Sequence, residues 1–177
     1  LVRLAHHPKV IAIGETGLDY FRLTGDLEWQ RKRFCTHIRA AVESGKPLII
    51  HTRSASADTL RLMQEEGADK IGGVMHCFTE SLEVALAAIE MNFYISFSGI
   101  VTFKKALELK EVATRIPLER MLIETDSPYL APVPFRGKLN QPGYVKHVAE
   151  EIAKLRGISV EEVGEATSNN FKKLFLH

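Results

Sequence analysis

The chain has 177 residues, 45% of them hydrophobic and 25% charged, a balance that suits one globular core and excludes a disordered or fibrous polymer. Its formal net charge is +1 and its isoelectric point is about 8.0, so contact with nucleic acid has to come from a local patch and not from a general basic field. Two cysteines, Cys35 and Cys77, cannot build a disulfide framework, and no leader or long apolar span occurs, so a cytoplasmic protein without membrane contact is the expectation.

The first apolar run is "VIAIGET" from Val10, followed by helical spacing in Phe34, Ile38, Ala41 and Val42 before Gly45. A second run, "PLIIHTR", starts at Pro47, and a third, "GGVMHCF", at Gly72. Leu82, Ala85, Leu86 and Ile89 then repeat the helical period up to Asn92, where "FYISFSG" begins the fourth run, and "MLIETD" from Met121 is the fifth. Short apolar runs bounded by turn residues predict strands, and the periodic segments between them predict helices. Two more helices close the chain. One follows Pro142 with Val145, Val148, Ile152 and Leu155 at core spacing, and the other opens with Ser159 and Glu162 in capping-box spacing. Alternation of this kind predicts an α/β fold with a parallel sheet, in a barrel or a doubly wound sheet, built as one domain over residues 1–177.

The polar residues are placed unevenly along this pattern. Four runs finish on a group able to bind metal or move protons, namely Glu15, His51, His76 and Asp126, and the fifth finishes on Ser96, Ser98 and Gly99. Parallel α/β folds gather the carboxyl ends of their strands at one edge, so these residues are expected to meet there. Two imidazoles and two carboxylates suit Zn, Mn or a related divalent ion, and a carboxylate can bridge two such ions. Singly, each has a bland reading, as a helix cap or a hydrogen-bonded core histidine. Their recurrence at strand ends favours a shared site. His6, His7, His37, His147 and His177 lack that placement and read as solvated, His147 being the nearest to an exception. Cys77 follows His76 and, on a strand, points away from it as a structural thiol, while Cys35 belongs to the core of a helix.

"IGETGLDY", "PLIIHTR", "GVMHCF", "YISFSGIVTFK" and "LIETDSPYLAPVPFRGKLNQP" occur in this order and together resemble the TatD family of metal-dependent deoxyribonucleases, a branch of the amidohydrolase-like TIM barrels. The resemblance runs essentially from end to end. It implies a TIM-barrel fold, DNA as substrate, and Glu15, His51, His76 and Asp126 as ligands to two divalent ions (Mg, Mn or Zn), with Glu15 bridging. The expected reaction is hydrolysis of a phosphodiester by metal-activated water held between ions about 3.5–4 Å apart. Asp126 is the expected base, and Arg53, two residues beyond His51, the group that neutralises a phosphate oxygen. Arg136, Lys138 and Asn140 on a proline-bounded loop are expected to grip the DNA backbone; Tyr20, Phe21 and Tyr129 each offer a ring for stacking on an end base, but taken singly each reads first as a core aromatic. The competing reading is a deacylase or other amide or ester hydrolase on the same metal site. No obligatory protein partner is evident.

Two departures from the family pattern carry expectations of their own. Ala57 stands where an acidic residue is common, with Asp58 one position on, which is expected to touch a helix start and not the metals. The family's opening His-x-His pair is missing, since His6 and His7 are adjacent and point to opposite sides of a strand. A closed barrel needs about 250 residues, so the fold expected is a partial TIM barrel, the last five of eight parallel βα units with two C-terminal helices: an incomplete metallohydrolase barrel, impaired in activity and with exposed sheet edges.

Overall fold

The computed structural model describes residues 1–176; His177 lies outside them. After a short helix α1 (Val2–Ala5), strands and helices alternate in the order β1 (Ile13–Asp19), α2 (Glu28–Ser44), β2 (Leu48–Arg53), α3 (Ser56–Glu65), β3 (Gly73–Met75), α4 (Leu82–Glu90), β4 (Phe93–Phe97), α5 (Leu107–Arg115), β5 (Met121–Ile123), α6 (Val145–Arg156) and α7 (Val160–Phe175). The strands form one sheet in sequence order, every neighbouring pair parallel. Each of the five apolar runs therefore contains a strand. The third is shorter than its run, although backbone bonds from His76 to Ile50 (2.8 Å) and from Phe78 to Ser96 (2.9 Å) carry pairing past its end.

Alternation along the strands sorts the runs into two faces. Leu48, Ile50, Met75, Ile95, Phe97 and Met121 join Phe34, Ile38, Met63, Val112 and Ile152 of the helices in one continuous core. Burying each such side chain contributes roughly 1.5–3 kcal/mol, which makes this face the main source of stability. Val74, Tyr94 and Leu122 point the other way and meet Leu174, with Ile49 and Phe175 packed alongside. The end of α7 thus covers part of the inner face.

Local chemistry ends the helices where the sequence indicates. Gly45 closes α2 in the left-handed conformation at φ 65°, and Ser159 and Glu162 form both bonds of the capping box that starts α7. Two other glycines set strand spacing. A Cβ on Gly17 would run into the carbonyl oxygen of His51, and one on Gly73 into the backbone of Leu48, so β2 is approached closely from both sides. Among the described residues no helix is long and apolar enough to cross a membrane.

Candidate metal centre

Glu15 does not end its strand as the sequence suggests, because β1 runs on to Asp19. The register against β2 advances three residues on β1 for two on β2 between Ile13 and Thr16, and this extra residue is a bulge of the kind that re-aims a side chain. Glu15 thereby joins the side of the sheet that carries His51. On β2, Leu48, Ile50 and Thr52 are buried while His51 is half-buried and Arg53 exposed, the alternation expected of a strand with one face in the core. His76 follows β3 by one residue. Asp126 stands three residues beyond β5 in the left-handed region at φ 54°, which turns its side chain back over the sheet.

Glu15, His51, Arg53, His76 and Asp126 line one cavity of about 560 Å³, together with Cys77 and Tyr129. Glu15 Oε1 lies 3.2 Å from His51 Nδ1 and 4.0 Å from His76 Nε2, and Asp126 Oδ1 lies 3.5 Å from His76 Nε2. The four residues read from the strand ends are thus brought together. Two further carboxylates, not singled out as ligands from the sequence, complete the group. Asp19 Oδ2 accepts from His51 Nε2 at 3.0 Å, and Glu124 Oε2 from His76 Nδ1 at 3.1 Å. Their signal was present: Asp19 is four residues past Glu15 in "GETGLD", and Glu124 precedes Asp126 by two.

Four carboxylates around two imidazoles leave the mouth short of positive charge. Its electrostatics register the imbalance. The hydrogen bond to Glu124 raises the pKa of His76, and burial, reinforced by Glu124 and Glu15, raises that of Asp126. Glu124 Oε1 is buried and, among the described residues, has no hydrogen-bond partner; it sits 2.9 Å from His76 Nδ1 but off the hydrogen-bonding direction, which Oε2 occupies. One ligand atom each from His76, Glu124 and Asp126 falls within 4.8 Å of the others. A nitrogen and oxygen donor set with surplus negative charge and an orphaned buried oxygen fits a divalent cation.

Several expectations need correction. Asn140 is buried, and its amide donates to the carbonyls of Thr125 (2.8 Å) and Tyr129 (2.6 Å) while its oxygen accepts from the Gln141 backbone. It clamps the loop after β5, with both amide hydrogens given to backbone carbonyls and none left to donate to a phosphate. Cys77 is not on a strand: at φ 44° it turns into the same cavity as His76, donates to Ser98 Oγ at 3.2 Å, and has its thiol pushed up to about 12 by burial. It therefore stays a neutral thiol. His37 is half-buried and bonded to Thr16 Oγ1 at 2.8 Å, and His147 packs against Phe135 and Tyr144 with Nδ1 on Glu150 at 2.7 Å, so neither is simply solvated. His6 and His7 are exposed, as expected.

Of the remaining expected residues Arg53 and Tyr129 line the cavity, whereas Arg136 and Lys138 do not. Arg53 lies over the ring of Phe21 at 3.6 Å, and Arg136 over that of Phe103 at 3.7 Å. Among the described residues neither they nor Lys138 has a carboxylate within ion-pair distance. Tyr129 is 72% exposed. Tyr20 donates to Asp58 at 2.8 Å, so the acid displaced past Ala57 sits in the first turn of α3 and braces the loop after β1.

The TatD related DNase family matches residues 1–176. Over 175 residues, 99% of this chain, the sequence is 52% identical to a protein of Escherichia coli named uncharacterized metal-dependent hydrolase YcfH. It is 36% identical, over 99% of its length, to a protein of Escherichia fergusonii named 3'-5' ssDNA/RNA exonuclease TatD. The crystal structure of YjjV, a TatD homologue from Escherichia coli, superposes with a TM-score of 0.86 at 29% identity over 95% of this chain and 64% of that one. The chain spans 66% of the length of YcfH and 69% of that of the exonuclease.

Proposed function

The chain belongs to the TatD related DNase family, and from that premise we propose that it carries the metal centre of a hydrolase that cleaves phosphodiester bonds in DNA. The observation that carries this reading is the convergence of Glu15, His51, His76 and Asp126 on one anionic cavity. These four residues would hold two divalent ions, with Glu15, which faces both imidazoles, as the shared ligand. Divalent ions bound there supply Lewis acidity to the phosphodiester and lower the pKa of water.

The protein's own groups account for the rest. Asp126, which lines the cavity with its Oδ1 3.5 Å from His76 Nε2, would take the proton of the attacking water. Arg53 is held by the Phe21 ring beside the mouth and, among the described residues, has no competing carboxylate, so it is free to meet a phosphate oxygen. Arg136 and Lys138, on the loop after β5 and without a carboxylate partner among the described residues, would position a backbone without reading sequence. Unpaired cations favour a polyanion over the neutral amide of a deacylase. The name of the Escherichia fergusonii relative, an exonuclease on single-stranded DNA and RNA, supports the same class. The five βα units are read as part of a larger barrel, in keeping with the 66% of YcfH that the chain spans.

The test is Asp126→Asn in the complete parent protein, assayed on single-stranded DNA with Mn²⁺. Hydrolysis falls about 10²–10⁴-fold, the range of general acid–base catalysis, while the circular dichroism spectrum is unchanged. Undiminished cleavage by a folded variant sinks the assignment.

A further inference from the structure

The two imidazoles of the site are held in opposite senses, and each is held by a carboxylate that stands behind it. His51 makes its hydrogen bond through Nε2, to Asp19 Oδ2 at 3.0 Å. His76 makes its bond through Nδ1, to Glu124 Oε2 at 3.1 Å. The nitrogens left over, Nδ1 of His51 and Nε2 of His76, both face Glu15 Oε1, at 3.2 and 4.0 Å, and neither contact is a hydrogen bond. Each backing carboxylate is itself fixed by a backbone amide: Phe21 N donates to Asp19 Oδ1 at 2.9 Å, and Cys77 N donates to Glu124 Oε2 at 3.1 Å.

We propose that Asp19 and Glu124 are a matched pair of positioning residues, which hold His51 as its Nε2–H tautomer and His76 as its Nδ1–H tautomer so that both lone pairs converge on Glu15. A neutral imidazole donates from one nitrogen and presents a lone pair at the other, and the partner of the donor decides which is which. A carboxylate can only accept, so it selects N–H at the nitrogen it faces and also makes the ring a stronger donor to a cation. The geometry around Asp19 shows how firmly the choice is enforced. Buried Gln30 accepts from the Asp19 N–H and donates to the Asp19 carbonyl, both at 2.8 Å, doing for the end of β1 what another strand would do. Glu124 is held by its own N–H on Phe97 O at 2.9 Å. Asp19 also ties His51 to Arg53, because the Phe21 amide it accepts from carries the ring beneath Arg53.

This inference rests on the reading of Glu15, His51 and His76 as metal ligands, but its first test needs no metal. Nitrogen-15 NMR of the metal-free protein, at a pH where both rings are neutral, is expected to show protonated Nε2 in His51 and protonated Nδ1 in His76. The same tautomer in both rings, or the reverse assignment, overturns the proposal, and this measurement requires no variant to fold. Asp19→Asn is expected to remove the preference in His51 and leave His76 as it was; Glu124→Gln does the converse. A variant that leaves its own histidine's spectrum unchanged overturns that half of the pair. Titration with Mn²⁺ then reads a 10–100-fold weaker affinity in each variant, the usual cost of losing such a partner, partly restored by Asp19→Glu or Glu124→Asp. Should the native protein bind no Mn²⁺, the functional reading fails, and the positioning role stands or falls on the tautomers.

Discussion

On the outer face of the sheet Ile50, Ile95 and Phe97 are wholly buried among helices, while on the inner face their strand neighbours His51 and Ser96 meet charge, hydroxyl groups and a cavity. Both faces come from the same short runs, one residue apart. The outer face binds the fold together through apolar area, and the inner face is packed by only a few residues, so it has room to hold groups that repel one another. The difference teaches that stability and chemistry here are separated by strand parity and not by region of sequence.

Truncating the outer face should cost most. Phe97→Ala is expected to lower unfolding free energy by about 3–5 kcal/mol, read from the urea midpoint at constant m-value. The inner face should cost less: Leu122→Ala, in the small cluster with Val74, Tyr94 and Leu174, is expected to lose about 2 kcal/mol. Equal losses would mean that both faces support the fold alike, and the contrast would have to be given up.

The smallest effect sharpens the comparison through pH. The hydrogen bond from Arg39 holds Glu66 below the ordinary carboxylate range, and that from Arg61 does the same for Asp58, both on the helical layer. A depressed pKa contributes stability that is present above the unfolded pKa and is lost as pH falls through the folded one. Asp126 has the opposite sign, since its raised pKa means that protonation on acidification favours the folded state. Lowering pH from about 5 to 3 should therefore weaken the helical layer slightly, and Arg39→Met should flatten that dependence in urea midpoints. An unaltered slope would show that the Arg39 pair, whose guanidinium is largely exposed, contributes nothing measurable.

Much of this organisation was legible in the residues. The five apolar runs each contain a strand, because their length and flanking turn residues leave little choice, and the capping residues at Gly45 and Ser159 are where their chemistry requires. His51 and His76 could be placed because they extend runs whose parity is unambiguous. Glu15 reached the right side for a reason the sequence hides, an extra residue in the β1 register. Asp19 and Glu124 were harder, since their role depends on which ring nitrogen they face, a matter of ångströms across strands. Asn140 was misread because a loop amide next to Arg136 and Lys138 looks like part of a ligand grip, whereas its three bonds are all to backbone. His37 reads as exposed until Thr16 from another element is placed against it.

Gly17 and Gly73 set the distance of β2 from its neighbours, since any side chain at either would strike β2 backbone. The relative position of His51 and Glu15 then depends on Gly17, which has no side chain of its own, while Gly73 sets the approach of β3. A single methyl group at position 17 is a wedge driven between the strands that carry them. The loops around the mouth can change in length and character while Glu15 and His51 keep their spacing, so variation is open at the rim and closed in the width of the cavity between these strands.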